Sequence, residues 1–193
     1  PVPGGGAVAA LAGALAAALA AMVGRLTVGK RKYAEVETDM QALVVEAERL
    51  RQALTARIAE DNAAFEAVMA AYRLSKRTEE EKAARRAAIQ AGLARAAEVP
   101  LATAQDAVAA LELARTAAQV GNVNAITDAG TAAWLARAAV AGAALNVRIN
   151  GVGLDDRARA GSWLAEVAEL ERRAEALVAE VQAIVEERGG LRP

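Results

Sequence analysis

Two clusters of polar side chains flank an apolar segment in the middle of the chain. Residues 129–145 are mostly alanine, leucine and valine, which predicts a buried helix, and the polar residues on either side are Asn122, Asn124, Asp128, Asn146, Arg148 and Asn150. Asn124 and Asp128 are four residues apart, as are Asn146 and Asn150, so each pair shares one helical face. Asparagine is a poor helix former and is costly to bury without partners. Helix caps explain one asparagine at each end but not two with a charge beside them, so these clusters form the first candidate site.

Three further groups of residues could contribute to that site. At the start of another apolar segment, Gly4, Gly5 and Gly6 leave backbone N–H groups uncovered at the positive end of a helix dipole, where an anion can bind. After that segment comes a basic and aromatic cluster, which contains Lys30, Lys32 and Tyr33. The third group is Asp61 with Phe65, one helical turn apart. The structural alternatives are a flexible lead-in for the glycines and a boundary position for the aspartate.

The composition restricts the chemistry that these residues can perform. The 193 residues suit a single domain, 1–193, and they include neither cysteine nor histidine. Disulfides, thiol nucleophiles and the usual neutral-pH base are therefore excluded, and we expect no metal and no cofactor. The net charge is −1, with 23 basic and 24 acidic residues interleaved, so we expect no nucleic-acid partner. Catalysis would have to use carboxylates, lysine, tyrosine, amides and backbone dipoles.

The helical periodicity predicts an all-α, up-and-down bundle of long antiparallel helices. Residues 7–23 are too short and too rich in alanine and glycine for a membrane span or a signal peptide, so we predict a buried central helix there and no membrane partner. A second helix is predicted from about residue 34 to 74, and a capping box of Thr78 and Glu81 begins a third. Pro100 is expected to kink or restart that helix, which stops at Gly121. After a turn at residues 150–153, a last amphipathic helix runs to about residue 188.

Helix geometry divides the candidate residues between two ends of the bundle. Asp128 and Asn146 are 18 residues apart, or about 27 Å along one helix, so they cannot flank one reacting centre within a chain. We predict a lysine pole that holds Lys30, Lys32, Tyr33, Asn122, Asn124 and Asp128. We predict a glycine pole that holds Gly4, Gly5, Gly6, Asp61, Phe65, Asn146, Arg148 and Asn150. A two-fold homodimer could lay one pole against the other and build a complete site between subunits.

Five segments in this order resemble the cyclodeaminase/cyclohydrolase family. They are PVPGGGAVAALAGALAAALAAMV, LTVGKRKY, DNAAFEAVMAAYRL, GNVNAITDAG and LNVRIN, and together they cover roughly residues 1–150. The family includes the cyclodeaminase half of formiminotransferase-cyclodeaminase and stand-alone bacterial methenyltetrahydrofolate cyclohydrolases. The resemblance implies one helical, homodimeric domain and a tetrahydrofolate derivative as substrate, without a further cofactor. Where the family has a serine after its PGGG motif this chain has Ala7, which removes a hydroxyl that could contact an anion or the pterin.

The resemblance implies one of two reactions at a one-carbon unit held between two nitrogens. Either 5-formiminotetrahydrofolate loses ammonia to form 5,10-methenyltetrahydrofolate, or the latter is hydrolysed to 10-formyltetrahydrofolate. A carboxylate can stabilise the cationic carbon and transfer protons, and we predict Asp128 in this role, with Asp61 second and Lys30 as proton donor. The remaining predicted site residues bind substrate: Asn122 and Asn124 at the pterin edge, Tyr33 or Phe65 on its ring, and the glycines with Arg148 or Lys32 on the glutamate tail. Asn146 and Asn150 are predicted to bind substrate without a more specific role.

The sequence separates the two reactions weakly, and it leaves a non-enzymatic alternative. We favour the cyclodeaminase slightly over the cyclohydrolase. A helical dimerisation or scaffold protein would explain the amphipathic helices, but it leaves the clustered asparagines without a role. We expect a cytoplasmic enzyme, and because the chain begins at Pro1 without a methionine, we expect that an N-terminal piece is missing.

Overall fold

A computed structural model describes residues 3–191, which form helices and the turns between them. The five α-helices are α1 (Gly5–Thr27), α2 (Glu37–Arg73), α3 (Glu79–Val120), α4 (Ile126–Val152) and α5 (Arg157–Arg188). Short 3₁₀ helices at Arg31–Val36 and Val123–Ala125 lead into α2 and α4. Each helix packs against the next in the chain, α1 also packs on α3 and α4, and α5 on α3 and α4. The predicted all-α bundle is confirmed.

Small residues let α1 approach its two antiparallel neighbours closely. A Cβ atom at Gly13 would lie 3.1 Å from the Leu54 side chain of α2 and 3.5 Å from Ala139 of α4. On the opposite side of the same contact, a Cβ atom at Gly142 would lie 3.2 Å from Ala9. Close-packed interiors leave little free volume, so glycine and alanine at these positions set the short distances between helices. The polar ends of α1, α2 and α4 are thereby brought together.

The first helix is the central helix that the apolar run predicted. The prediction that this segment is too short and too weakly apolar for a membrane span is wrong for the whole helix. The helix is long and apolar enough to cross a membrane, with a mean hydropathy of 2.2, but 61% of that window is buried inside the bundle. Ala10, Ala16, Ala17 and Ala20 have no exposed surface. The burial of this window among α2, α3 and α4 accounts for its apolar composition, because core helices satisfy the same test of length and hydropathy.

Three predicted boundaries differ from the structure. The second helix does not run unbroken from residue 34, since a 3₁₀ helix with non-helical angles at Tyr33 precedes α2. The third helix does not restart at Pro100, which lies buried inside the continuous α3. The turn predicted at residues 150–153 comes later, because α4 continues to Val152 and is capped at Gly153. The capping box is confirmed, with the Glu81 N–H donating to Thr78 Oγ1 at 3.2 Å and the Thr78 N–H to Glu81 Oε2 at 3.3 Å.

The fourth helix is buried on one side only, whereas its apolar composition predicted a buried helix. Trp134 is 52% exposed, Leu145 64% and Ile149 69%. The adjoining α1 also leaves three apolar side chains about half exposed, those of Val8, Leu11 and Leu15. Within a single chain, the neighbouring helices α1 and α4 therefore both leave large apolar side chains exposed.

Candidate active site

A cavity of about 380 Å³ opens at the glycine pole, where the N-terminus of α1 meets α2, α3 and α4. Its lining combines amides, a carboxylate and apolar side chains, from Gly4, Gly5, Asp61, Asn62, Phe65, Val68, Ala96, Asn146, Ile149 and Asn150. Six of the eight residues predicted to share the glycine pole thus line one cavity: Gly4, Gly5, Asp61, Phe65, Asn146 and Asn150. Gly6 lies directly behind them, against Asp61.

The Asp61 carboxylate occupies the start of α1. Gly4, the N-cap, has no side chain to accept a hydrogen bond, and the backbone N–H of Ala7 instead faces the carboxylate of Asp61 from α2. Gly6 permits this approach, since a Cβ atom there would lie only 2.1 Å from Asp61 Oδ1. The anion at this helix N-terminus is therefore one of the protein's own side chains.

The environment of Asp61 favours its protonated form. Partial burial raises the pKa of the carboxyl above its ordinary value, and the Ala7 N–H opposes this shift without cancelling it. A raised pKa brings a carboxyl closer to neutral pH, where it can both take and return a proton. Asp61 is the only acidic residue that lines the cavity within residues 3–191.

The two asparagines of α4 offer different hydrogen-bonding groups to the cavity. Asn146 donates through Nδ2 to the Gly142 carbonyl at 2.9 Å, which uses one of its two amide hydrogens. Asn150 donates through Nδ2 to two carbonyls, Ala96 at 2.7 Å and Asn146 at 2.9 Å. An amide carries two donors and one acceptor oxygen, so Asn146 keeps a donor and an acceptor, whereas Asn150 keeps an acceptor.

Three residues of the predicted lysine pole, Tyr33, Asn122 and Asn124, belong to one hydrogen-bonded group, and two of these side chains serve the fold. The buried Asn122 side chain donates to the Leu26 carbonyl at 2.9 Å and accepts from the Asn124 N–H at 3.1 Å. The Tyr33 hydroxyl accepts from the Val123 N–H at 3.0 Å, which joins the 3₁₀ helices before α2 and α4. These bonds hold the two connections together and engage both side chains.

The other predicted residues of the lysine pole are accessible. Lys30, Lys32 and Asn124 are exposed and Asp128 is half-buried. The Lys32 ammonium lies 5.5 Å from the centroid of the Tyr33 ring, a cation–π distance. Asp128 lies in the first turn of α4, and the length of that helix separates it from the cavity, about 27 Å away.

Arg148 is not brought to the cavity, although it was predicted at the glycine pole. Its guanidinium pairs with Glu171 of α5, with Nη1 donating to Oε1 at 3.0 Å and Nη2 to Oε2. Arg148 lies two residues from Asn146 and Asn150, so on a helix it faces away from their side. The pairing raises the pKa of Arg148 further and joins α4 to α5.

Four cavity residues were not among the predicted site residues: Asn62, Val68, Ala96 and Ile149. Asn62 follows Asp61 directly, and Ile149 lies between the two asparagines of α4. Only this position next to predicted site residues could have indicated from the sequence that they line the cavity. Val68 and Ala96 come from apolar positions that any helix core shows. Their position at the cavity depends on how α2 and α3 cross α1.

The cavity and the helical fold around it define a class of protein. A recess of this size, mainly apolar with a few converging amides and one carboxylate of raised pKa, is typical of an enzyme that binds a small polar molecule. The part of the chain that the structure describes has no group of three or more acidic residues placed to bind a metal ion. The amides and the carboxylate of raised pKa at the cavity support acid–base chemistry on an organic ligand.

Comparison with known proteins identifies the family. The model of the formiminotransferase-cyclodeaminase family matches residues 1–169. A methenyltetrahydrofolate cyclohydrolase from Methylorubrum extorquens is 49% identical over 186 residues, which are 96% of this chain and 86% of that protein. The formimidoyltransferase-cyclodeaminase of Rattus norvegicus is 38% identical over 148 residues, which are 77% of this chain and 27% of that protein.

A solved structure agrees with these matches. The crystal structure of formiminotetrahydrofolate cyclodeaminase from Thermotoga maritima superposes with a TM-score of 0.86 at 33% identity, covering 97% of this chain and 89% of that one. The chain belongs to the formiminotransferase-cyclodeaminase family. The resemblance read from the five sequence segments is thereby confirmed, and the relatives are folate-processing enzymes rather than scaffold proteins.

Proposed function

We propose that the chain acts on the one-carbon unit between N5 and N10 of tetrahydrofolate, as a methenyltetrahydrofolate cyclohydrolase. Two family activities are candidates, and the relative that bears the cyclohydrolase name is 49% identical over nearly the whole chain. The observation that carries the proposal is the Asp61 carboxylate, which is held at the start of α1 inside a cavity lined by amides. The predicted cytoplasmic location belongs to this proposal.

Asp61 has the properties that hydrolysis of a methenyl group requires. Water adds to the cationic carbon between N5 and N10, and Asp61 takes a proton from it as general base. The C–N5 bond of the tetrahedral intermediate then breaks, N5 receives that proton from Asp61, and the second hydroxyl proton leaves to solvent. Before attack, the carboxylate also stabilises the cationic carbon. A raised pKa suits this alternation between base and acid.

The cavity amides complement the polar edge of a pterin. That edge carries N–H donors on the pyrimidinone ring and its amino group beside a carbonyl acceptor. Asn150 supplies an acceptor, and Asn146 supplies both a donor and an acceptor. Phe65, 49% exposed at the cavity, offers an apolar surface for the ring, whereas the Tyr33 hydroxyl is already bonded at the other pole.

Cyclodeaminase activity is the second candidate, because the solved relative that matches 97% of the chain is a formiminotetrahydrofolate cyclodeaminase. In this reaction N10 attacks the carbon of the protonated formimino group, –CH=NH2+, and Asp61 takes the N10 proton. Asp61 then returns that proton to the –NH2 group of the tetrahedral intermediate, and the C–N bond breaks to release ammonia and leave the methenyl cation. The product is 5,10-methenyltetrahydrofolate. The same carboxylate therefore suits both reactions, which differ in the nucleophile and in the group that leaves.

A homodimer that joins the two poles is part of the proposal. It is supported by the exposed apolar surface of α1 and α4, to which Leu11, Leu15 and Trp134 contribute. A two-fold axis through the middle of this surface would set the glycine pole of one subunit against the lysine pole of the other. Asp128 and Lys30 would then face a cavity that they cannot reach within their own chain.

Mixing two inactive variants tests the shared site. Asp61→Asn and Asp128→Asn are purified separately, combined in equal amounts, and exchanged at low concentration. Random exchange makes half of the dimers mixed. If each site takes Asp61 from one subunit and Asp128 from the other, every mixed dimer holds one intact site out of two. About a quarter of wild-type activity should therefore return. Mixed dimers that show no more activity than the separate variants would contradict the shared site.

Absorbance at the methenyltetrahydrofolate band tests the activity itself. A faster loss of the band than in buffer, with 10-formyltetrahydrofolate as product, is expected from the cyclohydrolase. A gain of the band from 5-formiminotetrahydrofolate, with ammonia released, would instead establish the cyclodeaminase. The Asp61→Asn variant is the control in both assays. If the folded wild-type protein causes neither the loss nor the gain of the band, the proposed function is refuted.

A further inference from the structure

Pro100 leaves a gap in the hydrogen bonding of α3 at the wall of the cavity. Proline has no backbone N–H, so the carbonyl four residues before it, that of Ala96, lacks its usual helical partner. Ala96 lines the cavity. Backbone carbonyls away from water are almost always paired, so this one requires another donor.

The side chain of Asn150 provides that donor. Its Nδ2 lies 2.7 Å from the Ala96 carbonyl oxygen and 2.9 Å from the Asn146 carbonyl oxygen. Both amide hydrogens are therefore used by acceptors that belong to the protein backbone. The reversed amide would place Oδ1 against two carbonyl oxygens, so the two bonds determine the orientation of the amide.

The consequence is an acceptor of fixed orientation at the cavity. Oδ1 of Asn150 receives no hydrogen bond from any group in residues 3–191. We propose that Pro100 is a positioning residue that commits the Asn150 amide nitrogen to α3 and so makes Asn150 a selective acceptor for an N–H group of the ligand. This inference rests on the proposed function, in which that N–H belongs to the pyrimidinone edge of the pterin.

Specificity follows from the absence of a free donor on Asn150. An asparagine with a mobile amide can rotate to meet either a donor or an acceptor, whereas this one can meet only a donor. A ligand that placed a carbonyl there would leave two acceptors facing each other without a proton between them, which costs affinity. The proline thus acts on binding through Asn150 without touching the ligand.

A double-mutant cycle with Pro100→Ala and Asn150→Ala tests both parts of the inference. Asn150→Ala alone should leave the Ala96 carbonyl unpaired and lower Tm by on the order of 5 °C. In the Pro100→Ala background the restored backbone N–H can pair with that carbonyl, so the same change should lower Tm by less than half as much. Gln119→Ala, an exposed position far along α3, is the control and should combine additively with Pro100→Ala.

The substrate assay separates the ligand role from the structural one. KM for methenyltetrahydrofolate should rise about tenfold in Asn150→Ala, with kcat within about threefold, and it should stay raised in the double variant because the acceptor is still missing. Pro100→Ala alone should raise KM by about two- to threefold, since a competing donor loosens the amide.

The outcomes of these experiments test separately the ligand role of Asn150 and its link to Pro100. Recovery of KM together with Tm in the double variant would show that Asn150 only fills the gap in α3, and would overturn the ligand role. An equal loss of Tm in both backgrounds would overturn the link to Pro100. If the wild-type protein neither binds nor converts reduced folates, the proposed function fails and the ligand role with it, while the Tm cycle still decides the Pro100–Asn150 link.

Discussion

Substitution of Gly6 by alanine should disable the site while leaving the fold intact. The new Cβ atom would lie 2.1 Å from Asp61 Oδ1, 2.6 Å from its Cγ and 2.8 Å from Oδ2. Ordinary contacts to a Cβ atom begin near 3.4 Å, so the carboxylate must retreat by more than 1 Å. The clashing group is the end of a side chain that can rotate, and it will move before the backbone of α1 does.

The expected loss can be worked out from this displacement. Misplacing a catalytic group by about 1 Å costs on the order of 100-fold in rate, or about 2.7 kcal/mol of transition-state stabilisation. Stability should change little, because alanine gains about 0.5–1 kcal/mol over glycine in a helix. The displaced carboxylate loses the Ala7 N–H but also escapes part of the burial that opposes its ionisation. We therefore expect kcat to fall about 100-fold in Gly6→Ala, with Tm within about 4 °C of wild type.

The assay is hydrolysis of methenyltetrahydrofolate followed by absorbance, beside thermal unfolding followed by circular dichroism. Gly161→Ala in α5 is the matched control, because a Cβ atom there meets nothing within 4 Å, and it should retain full activity. Wild-type kcat in Gly6→Ala, with the carboxylate displaced as the geometry requires, would refute the catalytic assignment of Asp61.

Three further predictions concern charge, assembly and local stability. Asp61→Asn should abolish activity yet raise Tm at pH 7. The pKa of Asp61 is higher in the folded than in the unfolded state, so the stability that its carboxyl contributes is present below the unfolded-state pKa and is lost as the pH rises through the folded-state pKa. An asparagine stays neutral and does not incur this loss. In the same unfolding experiment, the gain in Tm of Asp61→Asn should vanish at pH ~3.5, below the unfolded-state pKa of an aspartate. If the variant instead has a lower Tm than wild type at pH 7, the destabilising effect of burying the Asp61 carboxylate is contradicted. Trp134→Glu should give monomers in sedimentation and an inactive enzyme, whereas Val45→Glu, at a 72% exposed position of α2, should alter neither. Thr78→Ala should lose about 1 kcal/mol in denaturant unfolding through the capping box, without changing KM.

Local chemistry made much of the fold predictable from the sequence. The alanine-rich runs have the helical periodicity of core helices, the Thr78–Glu81 pair marks the start of α3, and Asp156 caps α5 by accepting from the Arg159 N–H. These signals act within a few residues, so they survive without knowledge of the tertiary structure. At Pro100 the sequence shows that a backbone N–H is missing but not what replaces it, because the donor that pairs with the Ala96 carbonyl comes from Asn150, far along the chain.

The division of the site residues into two poles was also available from the sequence, since helix length alone keeps Asp128 and Asn146 apart. What could not be predicted was the use of each residue within its pole. The side chains of Asn122 and Tyr33 form hydrogen bonds that hold the connections together. Arg148 pairs with Glu171 of α5. The Asp61 carboxylate lies at the N-terminus of α1, where the glycines were predicted to bind an anion from the ligand.

The helices, the family and the residue types available for chemistry could be inferred from the sequence, because periodicity, caps and motif order are properties of the chain. Only the tertiary structure decided which carboxylate lies in the cavity. Asp61 and Gly6 are 55 residues apart, and their contact depends on the antiparallel crossing of α1 and α2 at a distance that glycine alone permits. Burial at that crossing raises the pKa of Asp61, and burial is a property of packing rather than of sequence.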